Sequence, residues 1–360
     1  MNDNDMSAAA TCGRRAFLLR AIVMSGGLVA ASRSIYAAEH GEATRQSNVK
    51  PGNESSVPIS LIGLPYLMGT RAPNRMYGMA RGPVVLLESQ NVPAALRSYF
   101  SDVEVTMIDN VDEPEPPLPR GDQMARILTE NLALASAVRN ARSRGRLPIA
   151  SIGTCSATLG MVGGLADVKG DFGMIWFDAH GDSETPDTTQ SGFIEGMVVP
   201  MIAGRSWPRY SRRIPGFRTI PDERIISVSL GSTPWPIPAD ETPPAGTPVH
   251  KKEIDRLGLE ATLGKALDQL AGRCKKVFVH MDADTIDPSF YKNFKNRPDI
   301  TGLAPAQVSK AFEMIAASFE ILALDVGAFD PTVDPRAPKI LTSLLLDGAK
   351  AAARSRSSVK

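Results

Sequence analysis

The stretch Gly173–Asp182 reads GMIWFDAHGD, an apolar run followed at once by the polar residues Asp178, His180 and Asp182. An apolar run of this length predicts a strand that is buried on both faces of a parallel sheet. Polar residues at positions i, i+2 and i+4 converge on one point if the chain stays extended. The stretch therefore predicts an α/β protein with a functional site at a strand end, where ligands bind in such sheets.

A second apolar run ends in the same way. The stretch Val277–Pro288 reads VFVHMDADTIDP and places Asp282 and Asp284 directly after a predicted strand. Several carboxylates at neighbouring strand ends repel one another unless a cation neutralises them. One imidazole with several carboxylates suits a divalent metal, and manganese is the first expectation. The two stretches together predict a site for one or two metal ions.

Short apolar runs alternate with helical patterns through the rest of the chain. This alternation predicts βαβ units and a single three-layer α/β/α domain with a mostly parallel sheet over residues 58–353. The predicted strands are Ile59–Gly63, Val103–Ile108, Leu147–Ile152, Gly173–Phe177, Ile225–Leu230, Val277–Met281 and Ile321–Leu324. The predicted helices are Met124–Arg144, Lys252–Ala271, Pro305–Phe319 and Thr342–Ala353. Residues 39–57 are predicted to be a linker and residues 354–360 a basic tail.

The first 38 residues have the pattern of an export signal. Gly13–Leu19 reads GRRAFLL and resembles the twin-arginine motif, and a modestly apolar stretch and small residues follow it. A disordered basic tail is the alternative. Paired arginines before an apolar region favour a signal peptide. The expectation is export to the periplasm by the twin-arginine route.

Composition excludes some partners. The formal net charge of the 360 residues is +1 and the body of the chain has no long basic run, so nucleic acid is not an expected partner. No apolar stretch reaches the ~18 residues of a membrane span, so the mature protein is expected to have none. Cys155 follows a predicted strand whereas Cys274 precedes one, which places the two at opposite ends of a parallel sheet. We expect no disulfide between them.

The motifs resemble those of a known family. Asp178–Asp182 looks like the Asp-Ala-His-x-Asp motif of the arginase/agmatinase (ureohydrolase) family, and Asp282–Pro288 resembles its Asp-x-Asp-x-x-Asp-Pro motif. Ile62–Pro65 and Ala80–Pro83 resemble the opening strand and its loop, and the likeness runs from about Pro58 to Lys350. The resemblance implies an arginase-like fold, a small-molecule substrate, a homo-oligomer, and hydrolysis of a C–N bond by a metal-activated hydroxide.

The resemblance also implies how the metals are held. One ion would bind Asp178, His180, Asp282 and Asp284, and the other would bind Asp178, Asp182, Asp282 and one further ligand. The family's histidine ligand at that further position is Cys155 here. A thiolate ligand would shift the preference from manganese toward nickel, cobalt, zinc or iron. In the alternative interpretation Cys155 is a small buried residue and this metal site is weakened or empty.

The substrate residues depart from the family pattern. Ala328 stands where relatives have the glutamate that pairs with a guanidinium group, so arginine and agmatine are not the expected substrates. Glu195 stands where arginases have a histidine proposed to shuttle protons. With Asp182 it is a candidate catalytic residue. Glu184 and Ser191 fall in the substrate-binding region, and the added negative charge could attract a cationic substrate.

The sequence therefore predicts a metal-dependent hydrolase of a linear amidine or guanidino compound. A non-catalytic or single-metal protein of the same fold, serving in binding or as a scaffold, is the alternative. It draws on Cys155 and Ala328 together. Amide hydrolysis is a third reading, because deacetylases share a related fold and also place Asp and His ligands at strand ends.

Overall fold

The computed structural model describes residues 55–71, 78–88, 91–108, 122–189, 192–231, 246–293 and 301–357. The predicted signal peptide and almost all of the predicted linker lie outside these residues. The strands are β1 Ile59–Leu64, β2 Tyr66–Leu67, β3 Thr70–Arg71, β4 Val103–Met107, β5 Leu147–Ile152, β6 Gly173–Phe177, β7 Ile225–Leu230, β8 Thr247–His250, β9 Lys276–Asp282 and β10 Glu320–Gly327. The helices are α1 Gly82–Glu88, α2 Asn91–Arg97, α3 Gln123–Ser143, α4 Thr158–Gly164, α5 Val198–Ala203, α6 Pro208–Ser211, α7 Lys251–Leu257, α8 Leu259–Ala271, α9 Pro305–Ser318 and α10 Ala337–Ser357.

Eight strands form one sheet in the order β4-β1-β5-β10-β9-β6-β7-β8, and every pairing in it is parallel. The predicted α/β class is confirmed, with a wholly parallel sheet. Strands β2 and β3 form a separate antiparallel pair. The four strands β5, β10, β9 and β6 lie at the centre, so their carboxyl ends meet at one edge of the sheet.

The sheet separates two hydrophobic cores. In β6, Ile175 and Phe177 belong to one core, whereas Met174 and Trp176 belong to the other. The first core is closed by α1, α2, α8, α9 and α10, and the second by α3, α4 and α5. Burial on both faces explains why these strands are apolar throughout rather than alternating.

Among the predicted helices, two differ most from the structure. The helix predicted over Lys252–Ala271 is two helices, because Gly258 between α7 and α8 has φ +89° and breaks the hydrogen-bond ladder. The last helix spans Ala337–Ser357 instead of Thr342–Ala353, so the basic tail predicted to start at 354 is helical as far as 357. Ser355 accounts for this extension, because it is buried and its Oγ accepts a hydrogen bond from the Ile321 backbone N–H.

Strand β8 lies at the edge of the sheet and has no counterpart among the predicted strands. It contains Pro248, and proline, which cannot donate a ladder hydrogen bond, is tolerated at a sheet edge. Among the described residues, no helix is both long and apolar enough to cross a membrane. Cys155 and Cys274 are both buried free thiols, as expected.

Candidate metal centre

The first ligand cluster joins the ends of β6 and β9. Asp178, His180 and Asp284 each offer a ligand atom, and these atoms all lie within 4.8 Å of one another. His180 Nδ1 is 2.7 Å from Asp284 Oδ2 and 3.6 Å from Asp178 Oδ1. The Asp178 carboxylate is held in place by the Trp176 indole N–H, which donates to its Oδ2 at 2.9 Å. The two sequence stretches therefore meet, as the parallel pairing of β6 and β9 requires.

The charges in this cluster oppose the effect of burial. Burial alone would raise the pKa of Asp178, but the hydrogen bond and charge of His180 hold that pKa at about 2. Burial would lower the pKa of His180, yet Asp284 and Asp178 raise it to about 12. The two carboxylates therefore favour a positive charge here, either a protonated His180 or a bound cation.

The second cluster includes Asp282, at the end of β9, and Cys155. Cys155, in the turn after β5, donates from its Sγ to Asp282 Oδ2 at 3.0 Å. Asp282 Oδ1 accepts from the Asp284 backbone N–H at 2.7 Å. Burial, together with the charge of Asp282, raises the pKa of the Cys155 thiol well above its ordinary value. Without a metal the thiol therefore keeps its proton and serves as a hydrogen-bond donor.

Asp182 follows the first cluster in a left-handed backbone conformation with φ +43°. Among non-glycine residues this region favours asparagine and aspartate, so Asp182 adopts it at a lower cost than most residues would. Desolvation raises the pKa of its carboxyl group well above the ordinary value, and the negative charges of Asp178 and Asp282 raise it further. The structure therefore brings Asp178, His180 and Asp284 into one group of ligand atoms and Cys155 and Asp282 into another. Asp182 belongs to neither group, but it lies close enough to Asp178 and Asp282 for their charges to act on it.

Glu195 is fully engaged with the turn that bears Cys155. Its Oε2 accepts from the Ser156 backbone N–H and its Oε1 from the Ser156 hydroxyl, both at 3.0 Å. The residue is 8% exposed, and burial raises its pKa while hydrogen bonds from Thr154 and Ser156 oppose the rise. These contacts assign the Glu195 carboxylate to holding the turn. Its predicted role in acid–base catalysis stays a prediction.

Of the predicted substrate-binding residues, Glu184 is among the described residues and Ser191 is not. Glu184 lies beside Gly196, and its Oε2 is buried with no hydrogen-bond partner among the described residues. Ser191 lies outside the described residues. Ala328 follows β10, is 8% exposed and has φ +56°. The end of this strand therefore carries a methyl group at the position where the family resemblance led us to look for a carboxylate.

His280 was not among the predicted site residues, yet it is completely buried and lies beside the centre. With Cys155 and Asp282 it forms a second group whose ligand atoms lie within 4.8 Å of one another. The signal was present in the sequence, because residues 280 and 282 of an extended strand face the same side. A histidine inside an otherwise apolar strand needs a polar partner, and this requirement is a second signal in the sequence.

Clustered carboxylate, imidazole and thiol groups at the carboxyl edge of a parallel α/β sheet define the class of the protein: an α/β fold with a candidate metal centre at its strand ends. Comparison with known proteins identifies the family. The Arginase family profile matches residues 57–349. The arginase of Bacillus caldovelox is 28% identical over 304 residues, which cover 81% of this chain and 97% of that one.

Solved structures of arginase-family proteins have the same fold. The native arginase of Bacillus caldovelox superposes with a TM-score of 0.68 at 27% identity, over 81% of this chain and 97% of that one. A formimidoylglutamase of Bacillus subtilis superposes with a TM-score of 0.60 at 18% identity, over 84% and 88% of the two chains. This chain belongs to the arginase family. Proteins of the family are hydrolases that act on C–N bonds, and they use a binuclear manganese site.

Proposed function

We propose that this protein is a metal-dependent hydrolase that cleaves a C–N bond in a small linear amidine or guanidino compound other than arginine or agmatine. One observation carries the proposal: two groups of clustered ligand atoms, one of Asp178, His180 and Asp284 and one of Cys155, His280 and Asp282. A scaffold under no catalytic demand has little physical reason to keep so many buried charges close together, because uncompensated they destabilise the fold.

The residues fit divalent metal. Asp178, His180, Asp282 and Asp284 would hold one ion, and Asp178, Asp182, Asp282 and Cys155 a second. A divalent ion bound here would activate water as a nucleophile at neutral pH and polarise the group under attack. We assign Asp182 as the carboxylate that accepts the proton of the attacking water, since it lies beside Asp178 and Asp282 at the strand ends.

The substrate assignment follows from which carboxylates are free to bind it. Asp325 and Asp330 flank Ala328 on the chain, but Asp325 binds His280, and Asp330 Oδ1 accepts from the Thr332 backbone N–H at 2.8 Å. Neither replaces the carboxylate that Ala328 lacks. A buried guanidinium without such a partner is poorly compensated. Glu184, with its unpartnered Oε2, is the carboxylate left to attract a cationic part of the substrate.

The test is a screen of guanidino, amidino and formimino compounds with the purified mature protein, loaded in turn with manganese, nickel, cobalt, zinc and iron. Release of urea, ammonia or formamide is measured. We expect turnover of at least one compound that is neither arginine nor agmatine. Asp178→Asn should abolish it, whereas Asp187→Asn, an exposed aspartate a few residues further on, should not.

No turnover with any of the metals would contradict the proposal and favour the non-catalytic scaffold. Rapid turnover of arginine would overturn the substrate assignment alone. Metal analysis of the purified protein separates the readings further, because a complete centre holds close to two ions per chain and a scaffold holds one or none.

We also propose that the chain is exported to the periplasm by the twin-arginine route. The support is the motif at Arg14 and Arg15 with the small residues that follow the apolar stretch. In cell fractionation, replacing both arginines by lysine should keep the full-length precursor in the cytoplasm. Periplasmic protein of unchanged abundance from this variant would contradict the route.

A further inference from the structure

His280 is the buried group that the proposed ligand sets leave unused. Its Nδ1 lies 2.6 Å from Asp325 Oδ1 and 3.2 Å from the Thr158 hydroxyl. Its Nε2 is buried and has no hydrogen-bond partner among the described residues. Leaving a buried polar nitrogen unpaired is unfavourable, so an unpaired atom of this kind calls for an explanation.

The surroundings of the ring point to a metal ligand. His280, Cys155 and Asp282 place one ligand atom each within 4.8 Å of the other two. With Nδ1 committed to Asp325, the nitrogen left for coordination is Nε2. Metal-binding histidines characteristically give their other ring nitrogen to a carboxylate, which fixes the tautomer and the orientation of the ring. The Asp325–His280 pair has this arrangement.

Packing holds the ring in one orientation. The imidazole stacks on the Trp176 indole with centroids 3.7 Å apart and planes inclined by 25°. On its other flank, a Cβ added to Gly327 would lie 3.2 Å from His280 Cε1 and 3.6 Å from Cys155 Sγ. Because Gly327 has no side chain, the His280 imidazole and the Cys155 thiol have room next to its backbone. The fixed ring and the Asp325 contact keep Nε2 in one position.

We propose that Cys155, His280 and Asp282 form a metal site with one sulfur, one nitrogen and one oxygen ligand, and that it prefers zinc or cobalt to manganese. On coordination the metal takes the place of the thiol proton, which leaves to solvent, and no redox change occurs. Thiolate and imidazole select softer divalent ions than a carboxylate-rich set does. The neighbouring group around Asp178, His180 and Asp284 is the one suited to manganese. The family resemblance places a histidine ligand at the position of Cys155. In this assignment His280, on β9, supplies the imidazole instead.

The inference extends the proposed function by assigning the metal preference of one half of the centre, but its test is independent of turnover. The full mature protein is loaded with zinc and studied by X-ray absorption. We expect one sulfur neighbour at about 2.3 Å and at least one imidazole nitrogen at about 2.0–2.1 Å from part of the zinc. Cobalt-loaded protein should show a thiolate-to-metal charge-transfer band.

Variants then identify the ligands. Cys155→Ser should abolish the charge-transfer band, and His280→Gln should weaken zinc binding at this site at least tenfold while manganese binding at the other group remains. Asp325→Asn, which acts through His280, should weaken zinc binding by about 10–100-fold. His250→Gln, at the edge strand β8, is the matched control and should change nothing.

A zinc spectrum with no sulfur neighbour, or zinc affinity unchanged in His280→Gln, would overturn the site. Because the absorption measurement uses the unmodified protein, a variant that fails to fold leaves the test intact. Zinc bound through sulfur and imidazole in a protein without turnover would uphold the site and contradict only the hydrolase.

Discussion

His280 Nδ1 and Asp325 Oδ1 are 2.6 Å apart, and both side chains are completely excluded from solvent. They sit opposite each other on the adjacent strands β9 and β10. Removing one partner of a buried pair leaves the other without compensation. The first prediction follows: Asp325→Ala lowers the free energy of unfolding by about 3 kcal/mol, and Asp325→Asn lowers it by less because its amide oxygen still accepts the hydrogen bond.

Urea denaturation of the metal-free protein measures this. Asp347→Asn is the control, since Asp347 accepts one hydrogen bond from Ser309 at 2.7 Å in a half-buried setting. It is expected to cost about 1 kcal/mol or less. An equal decrease in the free energy of unfolding for Asp325→Ala and Asp347→Asn would contradict a large contribution of the His280–Asp325 pair.

Asp182 is predicted to destabilise the metal-free protein and to contribute to metal binding. Asn in its place removes a negative charge next to Asp178 and Asp282, and asparagine tolerates φ +43° better than most residues. In EDTA-treated protein, Asp182→Asn should therefore raise the thermal midpoint, while the further rise on adding metal should shrink. Asp187→Asn should leave both quantities unchanged in differential scanning calorimetry. A lowered midpoint for Asp182→Asn without metal would contradict the repulsion.

Glu195 and Ser156 are predicted to be energetically coupled. The backbone N–H and the hydroxyl of Ser156 each donate a hydrogen bond to the Glu195 carboxylate. Such bonds are stronger when the carboxylate is ionised. Glu195→Gln should lower the free energy of unfolding by about 1–2 kcal/mol, and a double-mutant cycle with Ser156→Ala should give a coupling of at least about 0.5 kcal/mol. Glu184→Gln, at a carboxylate whose Oε2 has no hydrogen-bond partner among the described residues, should not destabilise the protein. If the losses in free energy of unfolding of the two single mutants simply add in the double mutant, the positioning role of Glu195 is contradicted.

Gly153 permits the close approach of two backbones just before the Cys155 turn. A Cβ at Gly153 would lie 2.2 Å from the Tyr66 carbonyl oxygen, which cannot move aside like a flexible side chain. Gly153→Ala should therefore destabilise the fold by about 1–3 kcal/mol. Gly264, inside α8, meets only Met314 Cε at 3.9 Å, so Gly264→Ala should stabilise by up to about 1 kcal/mol. Thermal unfolding of the two variants should shift in opposite directions.

The acid stability of the fold is predicted to depend on Arg144. The hydrogen bond from Arg144, opposed by burial, lowers the pKa of Glu104 below its ordinary value. A carboxylate with a lowered folded-state pKa contributes stability above its unfolded pKa of about 4.3, and this is lost as pH falls through the folded value. Arg144→Met should move acid unfolding to higher pH. The shift will be small because the Glu104 side chain is 30% exposed and screened by solvent.

Lys265→Met removes one exposed charge from α8 and controls for the change in net charge. Circular dichroism across an acid titration gives the midpoints. Identical midpoints for Arg144→Met and Lys265→Met would contradict the role of the Glu104 pair.

The fold was predictable because burial on both faces makes the central strands predominantly apolar, with His280 in β9 and Asp325 in β10 as polar exceptions. The break between α7 and α8 could not be placed from periodicity alone, since both sides of Gly258 continue a helical pattern. Asp178, His180, Asp282 and Asp284 were predictable because they follow their strands directly. His280 was not, because its partner Asp325 is distant in the sequence and only strand order makes them neighbours.

The contact between Cys155 and Asp282 spans 127 residues of chain. Closing so long a loop is entropically costly and tends to occur late in folding. The thiol and the carboxylates cannot meet until β5, β10 and β9 have docked side by side. A ribosome-bound or truncated chain that ends before β9 therefore lacks His280, Asp282 and Asp284, and recovery of metal binding during refolding would time the completion of the sheet.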